Sequence, residues 1–235
     1  MIYLAKKQRS LFLRVFDHKM WLYDIARITG IVPILLFLRT KKIYQNDIRP
    51  KKAFQGRYIV SANHTGFKDP VIVMGTFWMR RLGFVATKDL FDNRFKRFLF
   101  NHFGCVEIDK ENPSVLAFKK VEANLDRGHP MCVFPGGTIV HEDNDDIGTF
   151  KSGIVMMAIM AEAEIFPIYI PKRKNVFYRQ KVMIGERINY KDYVTGLFPT
   201  MADIEKVTNV LLEKELELKN KYLELEIKRR KSKNG

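Results

Sequence analysis

From Gly56 to Ile184 the chain alternates short apolar runs with longer helix-like segments, and that alternation restricts the folds open to it. Tyr58-Ile-Val-Ser-Ala62 reads as a strand, and Asp69-Pro70 opens a helix predicted to run to about Arg81. Residues 83–86 give a second strand and residues 93–102 a second helix. A strand over 105–108 precedes a helix that starts at Asn112-Pro113 and stops at Gly128. A strand over 131–134, a helix over 152–164 and strands over 165–170 and 181–184 complete the series. Strands alternating with helices imply an α/β fold whose mostly parallel sheet is flanked by helices. Ligands in such folds sit beyond the carboxyl ends of the strands, which points to the loops after Ala62, Ile108 and Phe134. The 235 residues suffice for one such domain with terminal additions.

Those additions carry an uneven charge. Lys and Arg number 41 against 26 Asp and Glu, a net of +15, and residues 1–57 hold 13 of the basic residues against 3 acidic ones. Such an excess suggests a polyanionic partner. The basic residues at the N-terminus accompany apolar and aromatic ones, with no recognisable nucleic-acid module, so no nucleic-acid partner is expected. Between Met20 and Leu38, Asp24, Arg27 and Pro33 interrupt the apolar run, leaving only residues 31–38 uninterrupted. A spanning helix needs about 20 apolar residues. Residues 1–55 therefore read as an amphipathic docking segment, a helical hairpin lying on an anionic membrane surface. The alternative is a helical hairpin that covers the core of the main domain. Residues 56–199 form the α/β domain, and residues 200–235 a C-terminal helix with a basic tail, carrying Ile204, Val207, Leu211, Leu218 and Leu225 on one side. Cys105 and Cys132 lie in apolar runs without metal-ligand spacing and read as buried thiols in a reducing compartment. No secretory signal is visible at the N-terminus.

The chemistry concentrates in Asn63-His64-Thr-Gly-Phe-Lys-Asp69, directly after the first core strand. A histidine at a strand's carboxyl end is open to substrate, and a nearby carboxylate can fix its tautomer and stabilise the imidazolium. Five residues apart on one helix the two side chains would diverge, so a loop must separate them, and Gly66 allows one. Asp followed by Pro is also a common helix start, with Asp as N-cap; the two roles are compatible. No Gly-x-Ser-x-Gly elbow, reactive-cysteine signature, Walker loop or zinc spacing appears. The histidine would then activate the acceptor's own hydroxyl for direct attack on an activated acyl group. In Phe134-Pro-Gly-Gly-Thr138, Gly136 and Gly137 let backbone N–H groups approach an anion and Thr138 offers a hydroxyl; a plain tight turn fits the same residues.

Asn-His-x4-Asp, Gly104-Cys-Val-Glu-Ile-Asp-Lys110, Phe-Pro-Gly-Gly-Thr and Ile165-Phe-Pro-Ile-Tyr-Ile170, in that order, resemble the four blocks of the lysophosphatidic acid acyltransferase (PlsC-like) family. Phe150-Lys-Ser-Gly153 and Ile184-Gly-Glu-Arg-Ile188 extend the similarity to roughly residues 20–190. The resemblance implies a general base at His64, an orienting Asp69, and a glycerol-phosphate site at Lys110, Gly136, Gly137 and Thr138. It implies transfer of a fatty acyl group from acyl carrier protein, coenzyme A or acyl phosphate to the sn-2 hydroxyl of 1-acylglycerol 3-phosphate, giving phosphatidic acid. The donors are co-substrates; no cofactor and no metal is expected. It also implies peripheral or monotopic placement on the cytoplasmic face of the cell membrane, and an acidic acyl carrier protein would suit the basic surface. The third block departs from the family's usual Phe-Pro-Glu-Gly-Thr-Arg at Gly136 and Ile139, and Lys110 stands where Arg is common. A bidentate phosphate clamp becomes a point charge. Those departures keep open a different lysolipid acceptor or a catalytically silent membrane-binding relative. Lys119, Lys120, His141 and Lys151 are candidates for replacement charge.

Overall fold

A computed structural model describes residues 20–31, 36, 39–47, 54–109, 114–136, 152–172, 179–196 and 198–234. Among the described residues seven strands form one sheet: β1 Lys41–Tyr44, β2 Tyr58–Ala62, β3 Gly83–Thr87, β4 Val106–Ile108, β5 Met131–Val133, β6 Glu164–Tyr169 and β7 Lys181–Ile184. Their order is β1-β7-β6-β2-β5-β3-β4. Every pairing is parallel except β6 with β7. The described α-helices are α1 Trp21–Ala26, α2 Asp69–Thr76, α3 Arg94–His102, α4 Val115–Asp126, α5 Gly153–Met160 and α6 Met201–Asn234.

All five residues of β2 are buried. A central strand covered on both faces has no solvent side, which is why its sequence runs apolar without alternation. Val60 and Ala62 face a cluster with Ile72, Val73 and Phe77 of and beyond α2. Ile59 faces the opposite cluster, with Val121 of α4, Val155 of α5 and Leu211 of α6. Thus α2, leaving β2, and α5, following β5, cover opposite faces of two adjacent strands. Connections that diverge in this way open a crevice at the carboxyl ends of β2 and β5.

Several expected boundaries shift. The helix opening at Asp69 ends at Thr76 rather than near Arg81, and the helix over 152–164 ends at Met160, with Glu162 at φ +46° turning the chain into β6. Helix α4 starts at Val115, where Ser114 accepts a hydrogen bond from the Ala117 N–H; Asn112 and Pro113 lie outside the described residues. Gly83 is required by packing, since a Cβ there would lie 2.4 Å from the Gly104 carbonyl oxygen.

The segment expected to end at residue 55 contributes a strand to the sheet. Lys41–Tyr44 pairs in register with β7 as an edge strand of the sheet, and Lys42 donates to the Thr76 carbonyl at 2.5 Å. Part of the basic charge assigned to surface docking is therefore spent inside the domain. Helix α1 continues as a π turn over Arg27–Ile31 and packs on the domain. Arg81 grips the buried Asp24 carboxylate through Nε at 3.0 Å and Nη2 at 2.7 Å, and the Tyr23 hydroxyl accepts from the Leu82 N–H. Losing one partner of such a buried pair costs about 3–5 kcal/mol. The second helix expected within residues 31–38 lies largely outside the described residues. No described helix is long and apolar enough to cross a membrane.

Helix α6 buries Ile204, Val207, Leu211 and Leu218 of the face read from its periodicity, while Leu225 is only half-buried. On that face Glu215 is fully buried. Ser61 of β2 donates to its Oε1 at 2.5 Å, while Oε2 has no partner among the described residues. Burial pushes this carboxyl up to about 8, so it is neutral at pH 7. The folded-state value lies above the ordinary 4.5, so the folded protein holds a proton that the unfolded chain releases. Stability falls as pH rises between these values, by up to about 1.4 kcal/mol per pH unit. Urea unfolding at pH 5 and pH 8 is expected to show a smaller loss for Glu215→Gln than for the unsubstituted protein. Equal losses in both would contradict the assignment.

Candidate active site

The loop between β2 and α2 is built around one carboxylate. Asp69 is the first residue of α2, one past Lys68 at the N-cap position, and its side chain turns back over the loop. Its Oδ2 accepts from the Thr65 N–H at 2.6 Å and the Gly66 N–H at 2.8 Å, and meets His64 Nδ1 at 2.9 Å. The Thr65 hydroxyl lies 3.4 Å from Oδ1. Asp69 is buried, so these partners replace the water it has lost. Its position in the first helical turn adds a favourable interaction with the helix dipole.

A carboxylate only accepts, so Nδ1 carries the hydrogen and Nε2 of the neutral ring holds a lone pair. Nε2 has no partner among the described residues, and the His64 side chain is 20% exposed. The ring is thus held at one nitrogen and open at the other, the arrangement of a general base. A second contact sets its plane. Phe134, directly after β5, stacks on the imidazole at 4.4 Å between centroids and 23° between planes, and Phe84 of β3 stacks on Phe134 in turn at 6.2 Å. The stack follows from the sheet, because Ser61 pairs with Val133 and the loops beyond β2 and β5 emerge side by side.

Asn63 supplies a third constraint. Its side-chain N–H donates to the Ile170 carbonyl at 3.0 Å, and its oxygen accepts from the Ile170 N–H at 2.7 Å. This two-point clamp ties the loop to the end of β6. The two contacts unite three segments singled out in the sequence: the Asn-His block, the Phe-Pro block and residues 165–170. Neither the Asn63 clamp nor the Phe134 stack was read from the sequence, although both residues lie in the segments quoted there.

The remaining expected site residues are only partly placed. Gly136 is half-buried in the turn after Phe134; Lys110, Gly137 and Thr138 lie outside the described residues, as do His141 and Lys151. Lys119 and Lys120 are exposed on α4. Both cysteines are free: burial pushes the Cys105 thiol up to about 12 and holds Cys132 well above its usual range, so neither supplies a thiolate at neutral pH.

Comparison with known proteins gives the family and the fold. The Acyltransferase family model matches residues 40–171. The 1-acyl-sn-glycerol-3-phosphate acyltransferase of Bacillus subtilis is 24% identical over 189 residues, covering 78% of this chain and 90% of that protein. The enzyme of that name from Streptococcus pneumoniae is 30% identical over 142 residues, and the probable one from Mycoplasma pneumoniae 30% over 143. The chain spans about half the length of these two, 51% and 53%. The crystal structure of the LPA acyltransferase PlsC from Thermotoga maritima shares the fold with a TM-score of 0.53, at 18% identity over 89% of this chain and 86% of that one.

The loop's shape rests on Asp69 and not on glycine freedom. A Cβ at Gly66 would meet nothing within 4 Å, and its φ lies outside the left-handed region. Gly66→Ala is therefore expected to change stability by no more than about 0.5 kcal/mol. Asp69→Ala strands the Thr65 and Gly66 donors at about 1–3 kcal/mol each. Urea denaturation of the two variants checks this, and a larger loss for Gly66→Ala than for Asp69→Ala would refute it.

Proposed function

This chain belongs to the acyltransferase family, and we propose that it transfers a fatty acyl group from an activated donor to the sn-2 hydroxyl of 1-acylglycerol 3-phosphate, giving phosphatidic acid for phospholipid synthesis. The observation that carries this reading is the His64 ring, bonded to Asp69 through Nδ1 and unpartnered at Nε2 among the described residues. The names of the relatives support the acceptor.

Nε2 takes the proton of the acceptor hydroxyl as its oxygen attacks the acyl carbonyl carbon. Asp69 stabilises the imidazolium that forms, without taking the proton itself. Collapse of the tetrahedral intermediate breaks the bond to the leaving group, a thiolate from an acyl carrier protein or coenzyme A or the phosphate of an acyl phosphate. A thiolate takes the proton back from Nε2. Backbone N–H groups of the Gly136–Gly137–Thr138 segment are assigned to the acceptor's phosphate together with Lys110. No cofactor or metal takes part in this scheme. The basic N-terminal residues would hold the enzyme peripherally on an anionic membrane on its cytoplasmic face, where the lysophospholipid resides, and the same charge would attract an acidic acyl carrier protein.

A second acceptor is favoured by one feature: Gly136 and Ile139 replace the Glu and Arg usual in the third block, removing a phosphate-pairing Arg. Mass spectrometry of lipids formed from vesicles, lysophosphatidic acid, an unphosphorylated monoacylglycerol and the three donor types decides between them. Phosphatidic acid is the expected main product, and His64→Ala is expected to lower its rate about 10²–10⁴-fold without loss of fold. Preference for the monoacylglycerol would replace the acceptor; full turnover by His64→Ala would end the mechanism.

A further inference from the structure

Helix α3 connects β3 to β4 and has no buried residue. Its inner side is held by Phe100, whose ring packs on Phe91 at 5.4 Å. Its outer side presents Phe95, 73% exposed, and Phe98, 50% exposed. From Phe98 a chain of rings continues onto a second element. Phe98 lies 4.2 Å from the His102 ring, and His102 lies 6.3 Å from Trp21 of α1, itself 44% exposed. Beyond Trp21, Ile25 and Ile28 are also exposed. Isolated exposed apolar residues are ordinary, but rings in series across two elements are not.

Charge accompanies the rings. Within Arg94–His102 stand Arg94, Lys96 and Arg97 and no carboxylate. Lys96 pairs with Asp92, and Arg97 reaches Glu107 at 3.5 Å. Arg94 has no partner among the described residues. We propose that the outer face of α3, with Trp21 of α1, is a docking surface for an anionic lipid bilayer: Phe95, Phe98 and Trp21 enter the headgroup layer and Arg94 and Lys96 meet lipid phosphates. The proposal rests on the acceptor being a membrane lipid and adds which face of the folded domain meets the membrane. A lipid surface is favoured over an acidic protein because the cations alternate with large rings along one helix. That pattern belongs to interfacial helices, where rings settle at headgroup depth and basic side chains reach outward.

The test uses the full-length chain with vesicles of phosphatidylcholine alone and of phosphatidylcholine with phosphatidylglycerol, read by co-sedimentation. The unsubstituted protein is expected to bind the anionic vesicles in a salt-sensitive manner. The double variant F95S/F98S is expected to bind them about tenfold more weakly, and R94Q/K96Q to lose preference for the anionic lipid. Circular dichroism and thermal unfolding establish that each variant folds, and F95S alone serves if the double variant does not. With a short-chain, water-soluble acceptor F95S/F98S should turn over like the unsubstituted protein, and with a vesicle-borne acceptor more slowly. Absence of transfer to both acceptors by every form would refute the catalytic reading while leaving the binding result legible. Vesicle binding by F95S/F98S and R94Q/K96Q equal to the unsubstituted protein would overturn the docking surface. So would selective loss of binding to an acidic carrier protein with vesicle binding intact.

Discussion

A single carboxylate oxygen, Asp69 Oδ2, gathers two backbone N–H groups and one imidazole, and the loop between β2 and α2 takes its shape from that convergence. Each bond alone contributes modestly in water-accessible surroundings. Here the acceptor is buried, so leaving any of its donors unmatched would be costly, and the three bonds enforce one another. The same oxygen therefore does two things. It closes a loop short enough to bring residues 64 and 69 together, and it settles which ring nitrogen carries hydrogen. Proton-accepting capacity at Nε2 follows from a folding constraint.

The sheet makes that loop rigid. Strand β2 lies fourth in the seven-strand order, buried on both faces, so its carboxyl end is fixed from either side. Asn63 ties the outgoing chain to β6, and Phe134 presses on the ring from β5. From below, Glu215 of α6 holds Ser61, three residues before His64, by a fully buried bond. The buried Asp24–Arg81 pair fastens α1 to the segment entering β3. In the proposed mechanism, a base supported by several independent contacts would need little reorganisation as charge develops on it, which is where enzymes gain most.

How much of this was legible in the sequence depended on range. The strands from β2 to β7 and the order of helices between them were visible because burial on two faces leaves an unmistakable apolar run, as in residues 58–62. The His64–Asp69 pairing was legible as a spacing that works only across a loop. Gly66 allowed that loop, and Asp69 rather than glycine freedom supplies its order. Strand β1 escaped notice because Lys41-Lys-Ile-Tyr44 has two leading lysines and no apolar run; it is a strand only because β7 offers an edge. Asn63 and Phe134 were missed as positioning residues because their partners lie about 107 and 70 positions away in sequence, and no local pattern encodes such distances.

Nitrogen-15 NMR of His64 in the histidine-labelled protein tests the account most directly, recorded at a pH where the ring is neutral. The prediction is a protonated, pyrrole-type Nδ1 and an unprotonated, pyridine-type Nε2, with that preference lost in Asp69→Asn. A ring carrying its hydrogen on Nε2 in the unsubstituted protein would contradict the account, because no lone pair would then face the incoming hydroxyl.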